Sequence, residues 1–255
     1  MDTQGLLYED RFLESWAGAI ITTPSTAIVE LVANAWDAYA TKVDITLPDA
    51  KNNVQFSITD NGKGMTLAEF QYIWRAMSYD RIAKFGPTTE PPADVSGPPR
   101  AVFGRNGKGR FASFCFAGAY QVTSKKDGEQ FTVRVSRTPS NPLVFEELEH
   151  IPEGVAGHGT EIRGCGEIPY HQFSNEQARQ LLGSRFLANP AFEVFLNETK
   201  ITFNDIPSAC LSVVEVEIDG IGKATIYHID TLKADKSTKQ HGIAWWVLNR
   251  AFDLS

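Results

Sequence analysis

Hydrophobic residues recur at helical spacing near the start of the chain, where Leu7, Phe12, Trp16 and Ile20 predict a first helix over 6–20. Thr22, Thr23 and Pro24 mark a second start, since threonine caps a helix and proline is tolerated at its first position. That helix is expected to run to about Ala40, with Ile28, Leu31, Val32 and Ala35 on its buried face. Residues 43–47 and 54–59 alternate in the manner of strands with one covered face. Asp60-Asn61-Gly62-Lys63-Gly64-Met65 is turn chemistry, and Thr66 can cap a helix to about Ser78.

Between Arg81 and Val102 the period disappears. The stretch holds Pro87, Pro91, Pro92, Pro98 and Pro99 with Gly86 and Gly97. An irregular segment this long inside a domain tends to be a lid, a binding loop or disorder. It leads into Gly104-Arg105-Asn106-Gly107-Lys108-Gly109-Arg110, directly before the apolar residues 111–119. Strands are predicted near 120–124, 131–136, 143–148 and 159–164. A helix follows from Ser174 to about Phe186, then a hairpin over 193–203 turning at Asn197. From about Ser208 the pattern is purely strand-like (211–218, 224–229, 243–249), which places a domain boundary near 206 and the beginning of a second, strand-rich and truncated domain at 207–255.

Composition narrows the class without naming it. A chain of 255 residues that is 42% hydrophobic and 22% charged is an ordinary globular protein. A formal charge of −7 argues against an overall cationic surface built for nucleic acid, while leaving a local basic groove open. Cys115, Cys165 and Cys210 are odd in number and widely separated, so neither a disulfide framework nor a zinc site is expected. With no basic-then-apolar leader, and no apolar run near the roughly 20 residues of a membrane span, the expectation is a cytoplasmic protein without membrane attachment.

The candidate chemistry lies in four segments. On a helix, Glu30, Asn34 and Asp37 share one face. A carboxylate and a carboxamide one turn apart can polarise a water and complete the oxygen shell of Mg²⁺, although a solvated face looks the same. Asp60 leads into Gly62 and Gly64, where the backbone can approach a flat ligand and the carboxylate can accept from the exocyclic amine of adenine; a surface turn is the alternative. The glycines of 104–109 present backbone N–H groups to an anion or make a flexible connector. They are not a Walker loop, because Lys108 is followed by Gly109. In Gly157-His158-Gly159-Thr160, a small hydroxyl entering a strand can hold a water beside a base ring. His150, His158, His171, His228 and His241 share no metal-ligand spacing and read as structural or exposed. Trp245 and Trp246 read as the two faces of a covered strand.

Taken together, over residues 10–205, these four segments resemble the GHKL family of gyrase, heat-shock-90, histidine-kinase and MutL ATPases. Residues 30–45 are similar to the MutL branch. The two glycines around Lys108 look more like the chaperone and MORC branches. The resemblance implies a Bergerat fold: α+β, a two-layer sandwich of a mixed or antiparallel sheet with helices on one face. It implies Glu30 as general base or orienter of the attacking water, and Asn34 as ligand of Mg²⁺. Asp60 would bind the adenine amine, with Gly62 in the same turn and Gly64, Met65 and Thr160 lining the pocket. Gly104, Asn106, Gly107 and Gly109, with the N–H groups of Lys108 and Arg110, would hold the phosphates of ATP. Asp37 belongs to the nucleotide-binding group but supports the first motif more than it touches ligand. Residues 81–109 would be the ATP lid. In related ATPases a lysine from the following domain reaches the γ-phosphate; Lys233, Lys236, Lys239 and Lys84 are weak candidates here. The tail 242–250 resembles the start of the second domain in MORC-like proteins, which would put that lysine after Ser255. The expected function is a slow, Mg-dependent ATPase whose lid closure drives homodimerisation of a larger parent. The alternative is a nucleotide-gated clamp with little turnover. A histidine kinase needs an upstream phospho-accepting hairpin, for which the segment before Glu30 is too short.

Overall fold

Proline at the first position starts the longest helix, where its missing N–H has no intrahelical partner to lose. It is the third of three near the start: α1 (Phe12–Ala17), α2 (Ala19–Thr22) and α3 (Pro24–Asp37). Structure is described for residues 11–48, 55–77, 80–104, 107–138, 141–169, 173–187, 189, 191–220, 222–230, 245–247 and 250–252 of a computed structural model. The helix expected over 6–20 is interrupted within this range at Gly18, whose φ of 55° and ψ of −128° are not helical. Helix α3 closes with a reversal: the Ala40 N–H donates to the Ala35 carbonyl (3.0 Å), and Tyr39 takes φ 62° at a position usually left to glycine.

The chain divides into two compact units, Met1–Gln172 and Phe173–Ser255. After α3 the first holds β1 (Lys42–Thr46), β2 (Ser57–Asp60), α4 (Leu67–Arg75) and α5 (Arg81–Phe85). A two-residue ladder of β3 (Thr88–Thr89) and β4 (Arg100–Ala101) follows, so the stretch expected to be irregular carries short local structure. The glycine segment then opens a 3₁₀ helix, Gly109–Cys115, rather than an α-helix. Strands β5 (Ala119–Lys126), β6 (Glu129–Thr138), β7 (Asn141–Ile151) and β8 (Gly159–Cys165) complete it. Its sheet runs β1-β2-β8-β5-β6-β7, every neighbouring pair antiparallel. The register aligns Asp60 with Thr160 and Thr160 with Ser124, three residues in a row across β2, β8 and β5.

Aromatic rings join the helical layer to the sheet. Phe111 of the 3₁₀ helix meets Trp16 edge-on at 5.8 Å, while Phe114 packs on Tyr120 and Phe116 stacks on Phe56, both at 4.9 Å. Helix α4 begins with a complete capping box: Thr66 accepts from the Glu69 N–H, and the Glu69 carboxylate accepts from the Thr66 N–H. It docks through Phe70, stacked 4.6 Å from Trp74, 5.1 Å from Phe131 and 6.3 Å from Phe145.

The second unit starts with α6 (Asn175–Phe186), capped by Ser174 and Gln177. Arg179 of α6 is bidentate on Asp205, at 2.6 and 2.8 Å. Strands β9 (Glu193–Leu196) and β10 (Thr199–Lys200) turn through Asn197 and Glu198, both at positive φ. Two further hairpins follow, β11 (Leu211–Ile218) with β12 (Gly222–Ile229), and β13 (Trp245–Val247) with β14 (Arg250–Phe252).

Phe70 fills its site completely and touches three rings, so Phe70→Ala leaves a cavity at the α4–sheet junction. We expect a loss of about 3–5 kcal/mol in urea unfolding with an unchanged m-value; a loss below about 1 kcal/mol would show that α4 contributes little to the core.

Candidate nucleotide-binding site

The helical spacing of Glu30, Asn34 and Asp37 places all three on the face of α3 that meets the glycine segment. Gly109 lies so close that a Cβ there would stand 2.5 Å from Glu30 Oε2 and 3.4 Å from Asn34 Oδ1. Only a residue without a side chain permits this approach. One turn further along, both oxygens of the buried Asp37 accept backbone N–H groups, from Phe103 at 2.8 Å and Gly104 at 2.9 Å. Burial pushes the Asp37 carboxyl upward; the Phe103 N–H, Arg81, the Gly104 N–H and Lys63 oppose that shift. Asp37 is thus occupied by the protein's own donors at the start of the glycine segment.

The second motif meets the same C-terminal end of that helix. The Lys63 N–H donates to the Ala38 carbonyl at 2.8 Å, and a Cβ on Gly62 would meet Ala38 Cβ at 2.7 Å. Asp60 Oδ1 accepts the Gly62 N–H at 2.8 Å. Desolvation raises the Asp60 carboxyl to about 7, against the pull of the Gly62 and Thr160 N–H groups and of His158. The fourth motif closes against it: Gly159 packs its Cα on the Asp60 carbonyl, where a Cβ would come within 2.3 Å. Gly64, at φ 62°, leaves a Cβ no space beside the Lys125 carbonyl.

Several residues that hold this arrangement carried no signal in the sequence. Ser124, fully buried on β5, accepts the Met65 N–H at 2.8 Å and donates to the Gly159 carbonyl at 3.2 Å. Its hydroxyl also lies 3.2 Å from Thr160 Oγ1, so one side chain ties the second motif to the fourth. Arg100 is held between Trp36 (4.7 Å) and Tyr39 (4.1 Å), with its NH1 on the Ala40 carbonyl. The Trp36 indole donates to the Ala101 carbonyl and the Tyr39 hydroxyl to the Pro98 carbonyl, both at 2.8 Å. The segment 98–104 is therefore fastened to the end of α3. A marker existed in the unusual pairing Pro98-Pro99-Arg100, but its aromatic partners could not be read from it.

Cationic side chains near the site have a partner in the protein or lie beside Asp37. Lys84 sits 3.8 Å over the Tyr72 ring, whereas Arg81 lies beside Gly104 with Nε 3.9 Å from Asp37 Oδ2 and a buried NH1 that has no hydrogen-bond partner among the described residues. The Lys108 ammonium donates to the Trp16 carbonyl at 2.7 Å. Arg110 turns its guanidinium to the carbonyls of Gly107 and Ala76. Asn106, Lys233, Lys236 and Lys239 lie outside the described residues. Among the described residues no cluster of three or more His, Cys, Asp or Glu forms a metal site, and no helix is long and apolar enough to cross a membrane.

An acidic helix stripe, a carboxylate turn, a glycine segment and a hydroxyl strand end are thus brought together around α3 and the ends of β2 and β8. Residues 21–156, just over half of the chain, match the model of the histidine kinase-, DNA gyrase B-, and HSP90-like ATPases. The chain belongs to this GHKL family. Its α+β architecture is the Bergerat fold of these ATPases, and ATP is the family's nucleotide. Relatives are MutL-like. Yeast (Saccharomyces cerevisiae) DNA mismatch repair protein MLH1 is 29% identical over 147 residues, 57% of this chain and 17% of that protein. A DNA mismatch repair protein MutL from Gemmatimonas aurantiaca is 45% identical over 53 residues, 21% of this chain and 9% of its own. A Herpetosiphon aurantiacus protein named "Putative type II restriction enzyme HgiDII" is 35% identical over 188 residues, 69% of this chain and 29% of its own length. The chain spans less than a third of the length of the curated relatives it matches.

The raised Asp60 carboxyl yields a prediction with a definite sign. A group whose pKa is higher folded than unfolded supports the fold at low pH and loses that support as pH rises through the folded value. Asp60→Asn should therefore raise the melting temperature of the nucleotide-free domain, the gain growing from about pH 4 and levelling off above about 7. An equal difference at every pH would show that the carboxyl ionises without penalty.

Proposed function

We propose that this domain binds Mg²⁺–ATP in the groove along α3 and hydrolyses it slowly, in the cytoplasm, as the motor of a longer dimerising protein. The observation that carries the reading is the contact of Gly109 with Glu30 and Asn34, because it sets backbone donors for phosphate against a carboxylate and an oxygen ligand. Glu30 orients the attacking water and accepts its proton. Asp60 accepts from the adenine amine, with Gly62 holding that carboxylate and Gly64, Met65 and Thr160 around the ring. Gly104, Asn106, Gly107 and Gly109, with the Lys108 and Arg110 N–H groups, cradle the phosphates. Asp37 acts through the Phe103 and Gly104 N–H groups that it holds.

Asn34 fits magnesium: it is exposed, offers a neutral oxygen and leaves room for the waters and phosphate oxygens that Mg²⁺ prefers. Bound there, the ion would neutralise phosphate charge; what the protein itself supplies is position. Phosphoryl transfer of this kind depends mostly on positioning and charge neutralisation. The segment 81–109 serves as lid and closes over the phosphates, and closure drives dimerisation of the parent. The names of the longer relatives, two mismatch repair proteins and a restriction enzyme, favour DNA transactions as the setting.

Glu30→Ala tests the assignment. It should leave ATP affinity within about twofold while lowering turnover by at least about a hundredfold, the scale of general-base catalysis. Turnover equal to wild type would defeat the catalytic role of Glu30, whereas a wild type that binds ATP without measurable turnover would favour the clamp. Asp60→Asn should abolish ATP binding in calorimetry, and equal affinity in that variant would remove the adenine contact.

A further inference from the structure

His158 stands between the base pocket and the Pro-rich segment, and both ring nitrogens face groups that only accept. Nδ1 is 2.7 Å from the Gly62 carbonyl oxygen and Nε2 is 2.8 Å from Asp94 Oδ1. A neutral imidazole carries a single N–H and satisfies one of these acceptors; the doubly protonated ring satisfies both. The two acceptors belong to different parts of the site. Gly62 is in the turn that holds Asp60, while Asp94 lies in the middle of the segment whose far end is fastened to α3 by Arg100, Trp36 and Tyr39. The ring has a fixed base, because the next residue, Gly159, packs directly on the Asp60 carbonyl.

We propose that His158 is a positioning residue that, when doubly protonated, fastens the middle of the Pro-rich segment to the wall of the base pocket and slows the release of bound nucleotide. The release part rests on the ATP-binding reading; the fastening itself does not. When the proton leaves to solvent, only one of the two acceptors keeps its hydrogen bond and the bridge between Gly62 and Asp94 opens.

Two carboxylates face the ring, Asp94 from the segment and Asp60 from the end of β2, together with the carbonyls of Asn61 and Gly62. Burial lowers the His158 pKa, but the hydrogen bonds to Gly62, Asp94 and Asn61 outweigh it, and the balance lies above the ordinary histidine value. The tie is therefore complete below about pH 6.5 and is lost as pH rises through the elevated value. Asp94 is largely exposed, at 70% of its side chain, so the effect on release is modest.

The test has two arms. In the nucleotide-free domain, the ring nitrogens of His158 are titrated by NMR in wild type and in Asp94→Asn; the midpoint should fall in the variant. An unchanged midpoint would overturn the fastening. Then release of a fluorescent ATP analogue is timed by stopped flow with Mg²⁺ from about pH 6 to about pH 8.5. Wild type should release it on the order of threefold faster at the upper end. Asp94→Asn and His158→Asn, the latter reaching Gly62 but not Asp94, should be fast and flat with pH. A pH dependence that survives in Asp94→Asn would assign the effect to Asp60 and defeat the coupling to release. If wild type fails to bind the analogue, the ATP reading fails, while the NMR arm still decides the tie.

Discussion

The two N–H groups donated to Asp37 fix where the glycine segment begins, and the rest of the groove depends on that point. A carboxylate inside a protein is costly unless donors compensate it. Here the donors are the backbone of Phe103 and Gly104, so the helix and the segment stabilise each other. From this anchor Gly109 falls against Glu30 and Asn34, and the 3₁₀ helix behind it carries Phe111 and Phe114 into the core. The glycine segment is thus held at Gly104 by Asp37 and at Gly109 by its approach to Glu30 and Asn34.

Asp60 shows the opposite balance. Its carboxylate has the Gly62 and Thr160 N–H groups, yet desolvation still wins and the group is held near neutrality. A partner that donates a hydrogen bond to the ionised form would offset this cost, and the exocyclic amine of a purine is such a partner. The cost falls on a carboxylate beside the glycine turn, in keeping with the clustering of perturbed carboxylates at functional sites.

Much of this was legible from the residues. The 3.6-residue period of α3 already put Glu30, Asn34 and Asp37 on one face, and the glycines of the motifs marked the close approaches at Gly62, Gly64, Gly109 and Gly159. The capping residues Thr66 and Ser174 gave two helix starts correctly, and the alternating strands gave a sheet with one covered face. What could not be read were relations between distant segments. Ser124 looks like any strand serine until the β2-β8-β5 register sets it beside Thr160. His158, taken as structural or exposed, acquires its two acceptors only when residues 62 and 94 arrive from elsewhere. The apolar residues after Gly109 open as a 3₁₀ helix, and Phe111, Phe114 and Phe116 each meet a ring from a different segment that the local sequence does not name. Gly18 broke the first predicted helix for a backbone reason that hydrophobic spacing does not encode.

The close approaches at Gly62, Gly64, Gly109 and Gly159 have a genetic consequence. None of these four positions contributes a reactive group, yet each excludes even a methyl without displacement of backbone, Ala38 or Glu30. Inactivating lesions in such a domain should therefore accumulate at codons whose amino acid does no chemistry, and drift is confined there by volume and, at Gly64 and Gly159, by positive φ as well.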